Sequence, residues 1–198
     1  EVGDGADVLS GRGAPLESEY PYSDDSSTFK KTPPAKLDAS AAKHKIVNPM
    51  KVRANIDHIK AALKAGFPVV FGFEVYSSFE SSTVARTGVV PMPKRGEQLL
   101  GGHCTYFIGY TDSDGNAHFN KTSHAVRFHV SRLFGSLTHH LRRLTGFTAL
   151  AVTPPANCLI SANSWGTGWG DGGYFYLPFA FVTKYAADFY IFGDVTKG

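Results

Sequence analysis

Two short segments of this 198-residue chain hold side chains suited to chemistry. The first is Gly101-Gly102-His103, two glycines and a histidine opening an apolar run. An imidazole exchanges its proton near neutral pH, so a well-placed histidine can act as base and then as acid. The second is Asn163-Ser164-Trp165-Gly166-Thr167-Gly168-Trp169-Gly170, a carboxamide followed by two indoles set among glycines. The chain has two thiols, Cys104 and Cys158, and eight histidines. Five of these, His118, His124, His129, His139 and His140, crowd one region. A metal site needs compactly spaced ligands. His139 and His140 are adjacent and the others scattered, so no metal site is read here.

These residues need strands to hold them. Pro68 to Val75 is an apolar run of β-formers, and Gly72 inside it marks a close approach of backbone or ligand. Gly101 to Tyr110 reads as a second strand, turning at Asp112 to Gly115. Cys158 to Ala162 is a strand leading into the Trp-Gly segment, Tyr174 to Leu177 follows it, and Phe189 to Phe192 closes the chain. Gly88 to Pro91 reads as a short extended piece. Ala54 to Ala65 predicts a helix, with Ile56, Ile59 and Leu63 on one face, Asn55 as cap and Gly66 with Pro68 as stop. Ala6 to Leu9 reads as the end of a helix, and Pro15 to Pro34 as loop. The two cysteines are too few for a disulfide scaffold. Their strands place them at opposite ends, so they are expected to stay unbridged.

Composition narrows the class. Hydrophobic residues make up 42% of the chain, enough for a core and too many for a disordered tail. No apolar run approaches the roughly 20 residues of a membrane-spanning helix. The net charge of +3 is too small to argue for nucleic acid. The charge is uneven, however. From Gly115 to Gly170 there is no Asp or Glu, while Lys121, Arg127, Arg132, Arg142 and Arg143 all fall there. Within it, Leu133, Phe134, Leu137, Leu141 and Leu144 predict a basic amphipathic helix over Ser131 to Leu144. Asn120-Lys121-Thr122 is a glycosylation triplet of the kind that arises often by chance.

Taken together, Gly102-His103 and Asn163 to Gly170 resemble the two signature segments of the papain-like cysteine peptidases. Pro15 to Tyr22 is similar to that family's Tyr-Pro-Tyr loop, Ile59 to Val75 to its helix–Gly–Pro-Val–strand unit, and Gly172 to Tyr176 to its strand after the Trp-Gly motif. The resemblance implies an α+β fold, chiefly the β-rich, barrel-like half, with residues 1–40 a remnant of the helical half. The β half would comprise 41–116 and 158–198, and 117–157 would be a basic insertion. It implies peptide-bond hydrolysis through a thioester acyl-enzyme, without cofactor or metal. His103 would be general acid/base and Asn163 would orient it by accepting a ring N–H. Trp165 would cover that bond at the edge of the substrate site. Gly102 would offer its carbonyl to the substrate, and Gly72 would lie near the pocket for the second side chain upstream of the scissile bond. Family members are lysosomal, vacuolar or secreted.

Two departures accompany the likeness. The family's nucleophile sits in a Cys-Gly-Ser/Ala-Cys-Trp-like segment preceded by an oxyanion-hole Gln, about 130 residues before its histidine. No such segment occurs here, and Glu1 is expected to fall just after the nucleophile helix and its following loop. Cys104 follows His103 on a strand and points to the opposite face; Cys158 is also on a strand. Three arrangements stay open: a companion chain bearing the Cys and Gln, a missing upstream segment of the same product, or an inactive homologue that binds peptides or serves as scaffold. The interval from His103 to Asn163 also exceeds the strand–turn–strand of the family. The insertion at 117–157 either packs on the body or docks an acidic partner or membrane surface; no nucleic acid is expected.

Overall fold

Residues 69, 71, 73 and 75 point one way from an extended run and are all buried, the period-2 signature of a strand lying on a core. The computed structural model describes residues 1–195 apart from 24, 26, 28–29 and 121–151. In chain order its elements are α1 (Val2–Gly11), a 3-10 turn (Ala35–Leu37), α2 (Asp38–Ala41), β1 (Ile46–Val47), β2 (Met50–Lys51), α3 (Ile56–Lys64), β3 (Val69–Tyr76), α4 (Ser82–Thr87), β4 (Leu99–Thr111), β5 (Ala117–Phe119), β6 (Cys158–Ala162), β7 (Tyr174–Pro178), α5 (Phe179–Tyr185), β8 (Ala186–Ile191) and β9 (Asp194–Val195). The architecture is α+β. The main sheet runs β2-β8-β3-β4-β6-β7 with β5 added to β4, and β1 pairs β9 in a separate ribbon. Every paired strand is antiparallel to its neighbour.

One sheet face carries Phe71, Phe73, Phe107, Phe175 and Phe189, and α3 and α5 cover it with Ile59, Leu63, Phe181 and Val182. Ile108, Cys158, Ile160 and Tyr176 form a smaller cluster on the other face. The α3 helix starts where the sequence reading places it. Asn55 Oδ1 accepts the N–H groups of Asp57 and His58 at 2.8 and 3.4 Å, satisfying two donors of the first turn. The Gly88–Pro91 piece makes a single parallel bridge, Val89 to Tyr176, rather than a strand. Residues 117–119 of the expected insertion extend the β4 hairpin as β5. The amphipathic helix expected at 131–144 lies outside the described residues. Among the described residues no helix is long and apolar enough to cross a membrane. Asn120, the glycosylation candidate, is only 2% exposed, which shuts its side chain away from a glycosylating enzyme in the folded state.

Candidate active site

Strand β4 carries His103, and its neighbour β6 delivers Asn163, one residue past its end. The His103 Nε2 lies 2.9 Å from Asn163 Oδ1. The Ser164 backbone N–H donates to the same oxygen at 2.9 Å. A backbone N–H can only donate, so the atom it meets is the carboxamide oxygen, and the facing of the amide is settled by that contact. Nε2 therefore carries a proton, and in the neutral ring Nδ1 is the nitrogen that holds the lone pair. The Asn163 backbone is held in turn by its N–H to the Gly173 carbonyl at 2.9 Å.

Aromatic rings close in on this bond. Trp165 stacks on the imidazole with centroids 5.2 Å apart and planes 24° from parallel. Trp169 meets Trp165 edge-on at 5.0 Å, and Phe79 does so at 5.6 Å. Phe73, opposite His103 in the β3–β4 register, contacts the imidazole edge-on at 5.6 Å. The outer face of Trp165 stays open, with 43% of the residue exposed. The loop that presents Trp165 depends on glycine. At Gly170, with φ +63°, a Cβ would stand 2.4 Å from the Tyr174 carbonyl oxygen.

On the other side of the β3–β4 pair lies a groove of about 550 Å³ between α1 and the sheet. Val2, Ala6 and Leu9 wall it from the helix, and Val70, Gly72 and Gly102 from the strands. Neither sheet glycine is required by its backbone: a Cβ on Gly72 would find its nearest neighbours at 3.9 Å, and one on Gly102 at 3.8 Å. Glycine here leaves space rather than avoiding a clash. The structure thus brings Gly72 and Gly102 together on one groove, with His103 at its border and Trp165 on the far side of the imidazole.

The two cysteines are free thiols. Cys104 stands opposite Gly72 and His103 opposite Phe73, so their side chains take opposite faces of the sheet. Burial, with the Asp188 carboxylate behind it, pushes the Cys104 thiol above its ordinary value. Burial pushes the Cys158 thiol up to about 11. Both shifts hold the sulfur protonated, the reverse of what a nucleophile requires. Among the described residues no group of three or more His, Cys, Asp or Glu side chains could hold a metal ion. The packing of Phe73 and Phe79 around His103, and the Ser164 N–H on Asn163, are parts of the site that sequence reading misses. No motif marks Phe73; the β3–β4 register places it opposite His103 on the same face.

The family model described as papain family cysteine protease matches residues 6–181. A protein of Acanthamoeba polyphaga mimivirus, described as an uncharacterized peptidase C1-like protein, is 36% identical over 143 residues, covering 71% of this chain and 32% of that protein. The chain thus spans about a third of the length of this relative. Among solved structures, xylellain, a cysteine protease from Xylella fastidiosa, matches 96% of this chain and 60% of its own with a TM-score of 0.66 at 24% identity. The cysteine protease and lectin-like domains of Cwp84, a surface layer associated protein of Clostridium difficile, match 98% of this chain and 36% of theirs, with a TM-score of 0.57 at 17% identity.

Proposed function

The chain belongs to the papain family of cysteine proteases, and from that premise we propose that it supplies the histidine and asparagine of a cysteine endopeptidase whose nucleophilic Cys lies outside these 198 residues. That Cys, with an oxyanion-hole Gln, comes from an upstream part of the same product or from a companion chain. The observation that carries the reading is the Asn163 oxygen, which accepts N–H groups from both His103 and Ser164. This leaves Nδ1 of His103 as the base. It takes the thiol proton, and the thiolate attacks the substrate carbonyl. The imidazolium then returns the proton to the leaving amine, giving the thioester, and the same nitrogen activates the water that hydrolyses it. The substrate is a peptide or protein bound extended along the groove, its backbone meeting the Gly102 carbonyl and an apolar side chain filling the space above Gly72.

The test uses the full-length product with any chain that copurifies. A thiol-reactive peptidyl inhibitor should label a cysteine outside residues 1–198. Hydrolysis of a fluorogenic dipeptide amide should fall by about 100-fold or more in His103→Ala. Labelling of Cys104 or Cys158, with turnover lost on labelling, would overturn the placement of the nucleophile. An inert but peptide-binding assembly would favour the second reading, a non-catalytic homologue. Both cysteines of this chain have thiols raised by burial, so neither reading assigns them the nucleophile's role.

A further inference from the structure

The Trp-Gly segment runs into a tight turn just before β7. Gly172 and Gly173 have φ values of +64° and +95°, those of a two-residue type I′ turn. Asp171 and Tyr174 close it with paired backbone bonds of 2.9 and 3.2 Å. Both backbone groups of Gly173 reach back into the segment. Its N–H donates to the Trp169 carbonyl at 2.8 Å, and its carbonyl accepts the Asn163 N–H at 2.9 Å. The place of this turn therefore sets the place of the Asn163 backbone. Two glycines make such a turn easy to form and easy to deform, because neither has a Cβ to confine it. The Asp171 side chain ties it to the core. Its Oδ2 accepts the Tyr176 hydroxyl at 2.6 Å, and the two residues are only 3% and 1% exposed. Tyr176 packs with Ile108, Cys158 and Ile160, on the sheet face opposite Phe175, and its N–H donates to the Gly88 carbonyl at 2.8 Å. Burial pushes the Asp171 carboxyl above its ordinary value, and the Tyr176 hydroxyl pulls it back.

We propose that Asp171 is a positioning residue for the His103–Asn163 pair: its bond to Tyr176 fixes the Gly172–Gly173 turn, and the Gly173 carbonyl passes that constraint to Asn163. The effect on turnover rests on the peptidase reading, whereas the effect on the Asn163 backbone does not. Three variants separate the causes. Tyr176→Phe removes one oxygen and keeps the ring in the core. Asp171→Ala removes the acceptor. Asp171→Asn keeps an acceptor oxygen for the hydroxyl and removes the charge.

In the full-length protein, Tyr176→Phe and Asp171→Ala should each lower kcat on a peptide amide by about tenfold and move KM by less than about twofold. Asp171→Asn should keep kcat within about twofold of wild type. The deciding measurement is a cycle with Asn163→Ala. Because Asp171 acts through Asn163, Tyr176→Phe in that background should lower kcat by less than about twofold more. A repeat of the tenfold loss there is the additive result of a general structural role, and it would overturn the proposal. Amide hydrogen exchange, read residue by residue by NMR, follows the turn without any turnover. The Asn163 N–H should exchange about tenfold faster in Tyr176→Phe and Asp171→Ala, with the β3 amides at their wild-type rates, and stay protected in Asp171→Asn. Exchange that is unchanged at Asn163, or that rises equally in β3, would also overturn the proposal. Should the wild type hydrolyse no peptide, the peptidase reading fails and exchange alone decides: selective loss of protection at Asn163 still upholds the role of Asp171.

Discussion

The Asn163 carboxamide uses one oxygen for two purposes: it receives the Ser164 N–H and so has a known facing, and it receives the His103 N–H and so sets the tautomer. In the proposed peptidase the imidazole would need both, because a ring that turned over would present the wrong nitrogen to the thiol. In the full-length protein, Asn163→Ala should lower kcat by about tenfold or more and move KM by less than about twofold, the pattern of an interaction that matters in the transition state. Steady-state kinetics on one peptide amide checks this, and an unchanged kcat would remove Asn163 from the mechanism. At this scale the sequence was informative about which residues pair, since the Gly-His and Asn-Ser-Trp-Gly segments are distinctive as strings. It was silent about Phe73 and Phe79, whose contacts with His103 and Trp165 arise from strand register and carry no motif.

The hairpin from β4 to β5 shows how an element is stabilised by a single side chain. Asp112 Oδ1 accepts the N–H groups of Asp114 and Asn116 at 3.0 and 2.9 Å, and Oδ2 meets His118 Nε2 at 2.9 Å. The His118 hydrogen bond first, and the N–H groups with it, pull the Asp112 carboxyl down to about 2. The ordinary value in an unfolded chain is about 3.9. A carboxyl depressed by folding contributes stability that is fully present above about pH 4 and is lost as pH falls toward 2. Asp112→Asn should therefore be less stable than wild type at pH 6 and converge with it near pH 2 in chemical denaturation. A constant gap across that range would show that Asp112 does not carry the effect. The turn itself was legible from Asp112-Ser113-Asp114-Gly115. The His118 contact was not, because a side-chain hydrogen bond across a hairpin depends on the register of its strands.

At the scale of the whole molecule, one apolar face of the sheet bears most of the core, and α3 and α5 close it. Leu63 is 1% exposed there, beside Phe and Val side chains from several strands. Leu63→Ala should cost about 2–5 kcal/mol in unfolding free energy, the range for a buried leucine whose cavity does not collapse. Urea denaturation measures it, and a loss below about 1 kcal/mol would mean that the α3–sheet contact relaxes to fill the space. The smaller cluster of Ile108, Cys158, Ile160 and Tyr176 backs the same strands from the other side, so β4, β6 and β7 are covered on both faces.

The sequence alone determined the parts of this protein that depend on near neighbours. The apolar run of β-formers over Pro68 to Val75 specifies β3, the apolar stripe of Ile56, Ile59 and Leu63 with its Asn55 cap specifies α3, and the two signature segments specify which histidine and asparagine meet. Each is a local pattern, and tertiary packing reinforces it rather than overriding it. The tertiary structure decided the rest. Phe179–Tyr185 is aromatic and β-branched, with no helical signal of its own, yet it forms α5 because Phe181 and Val182 then enter the core. The two-residue strands β1 and β2 exist only through partners near the C-terminus. The Gly3–Asp188 bond joins opposite ends of the chain, and nothing within a few residues of either announces it. Contacts of that kind follow from where strands and helices come to rest, and a linear reading has no term for that distance.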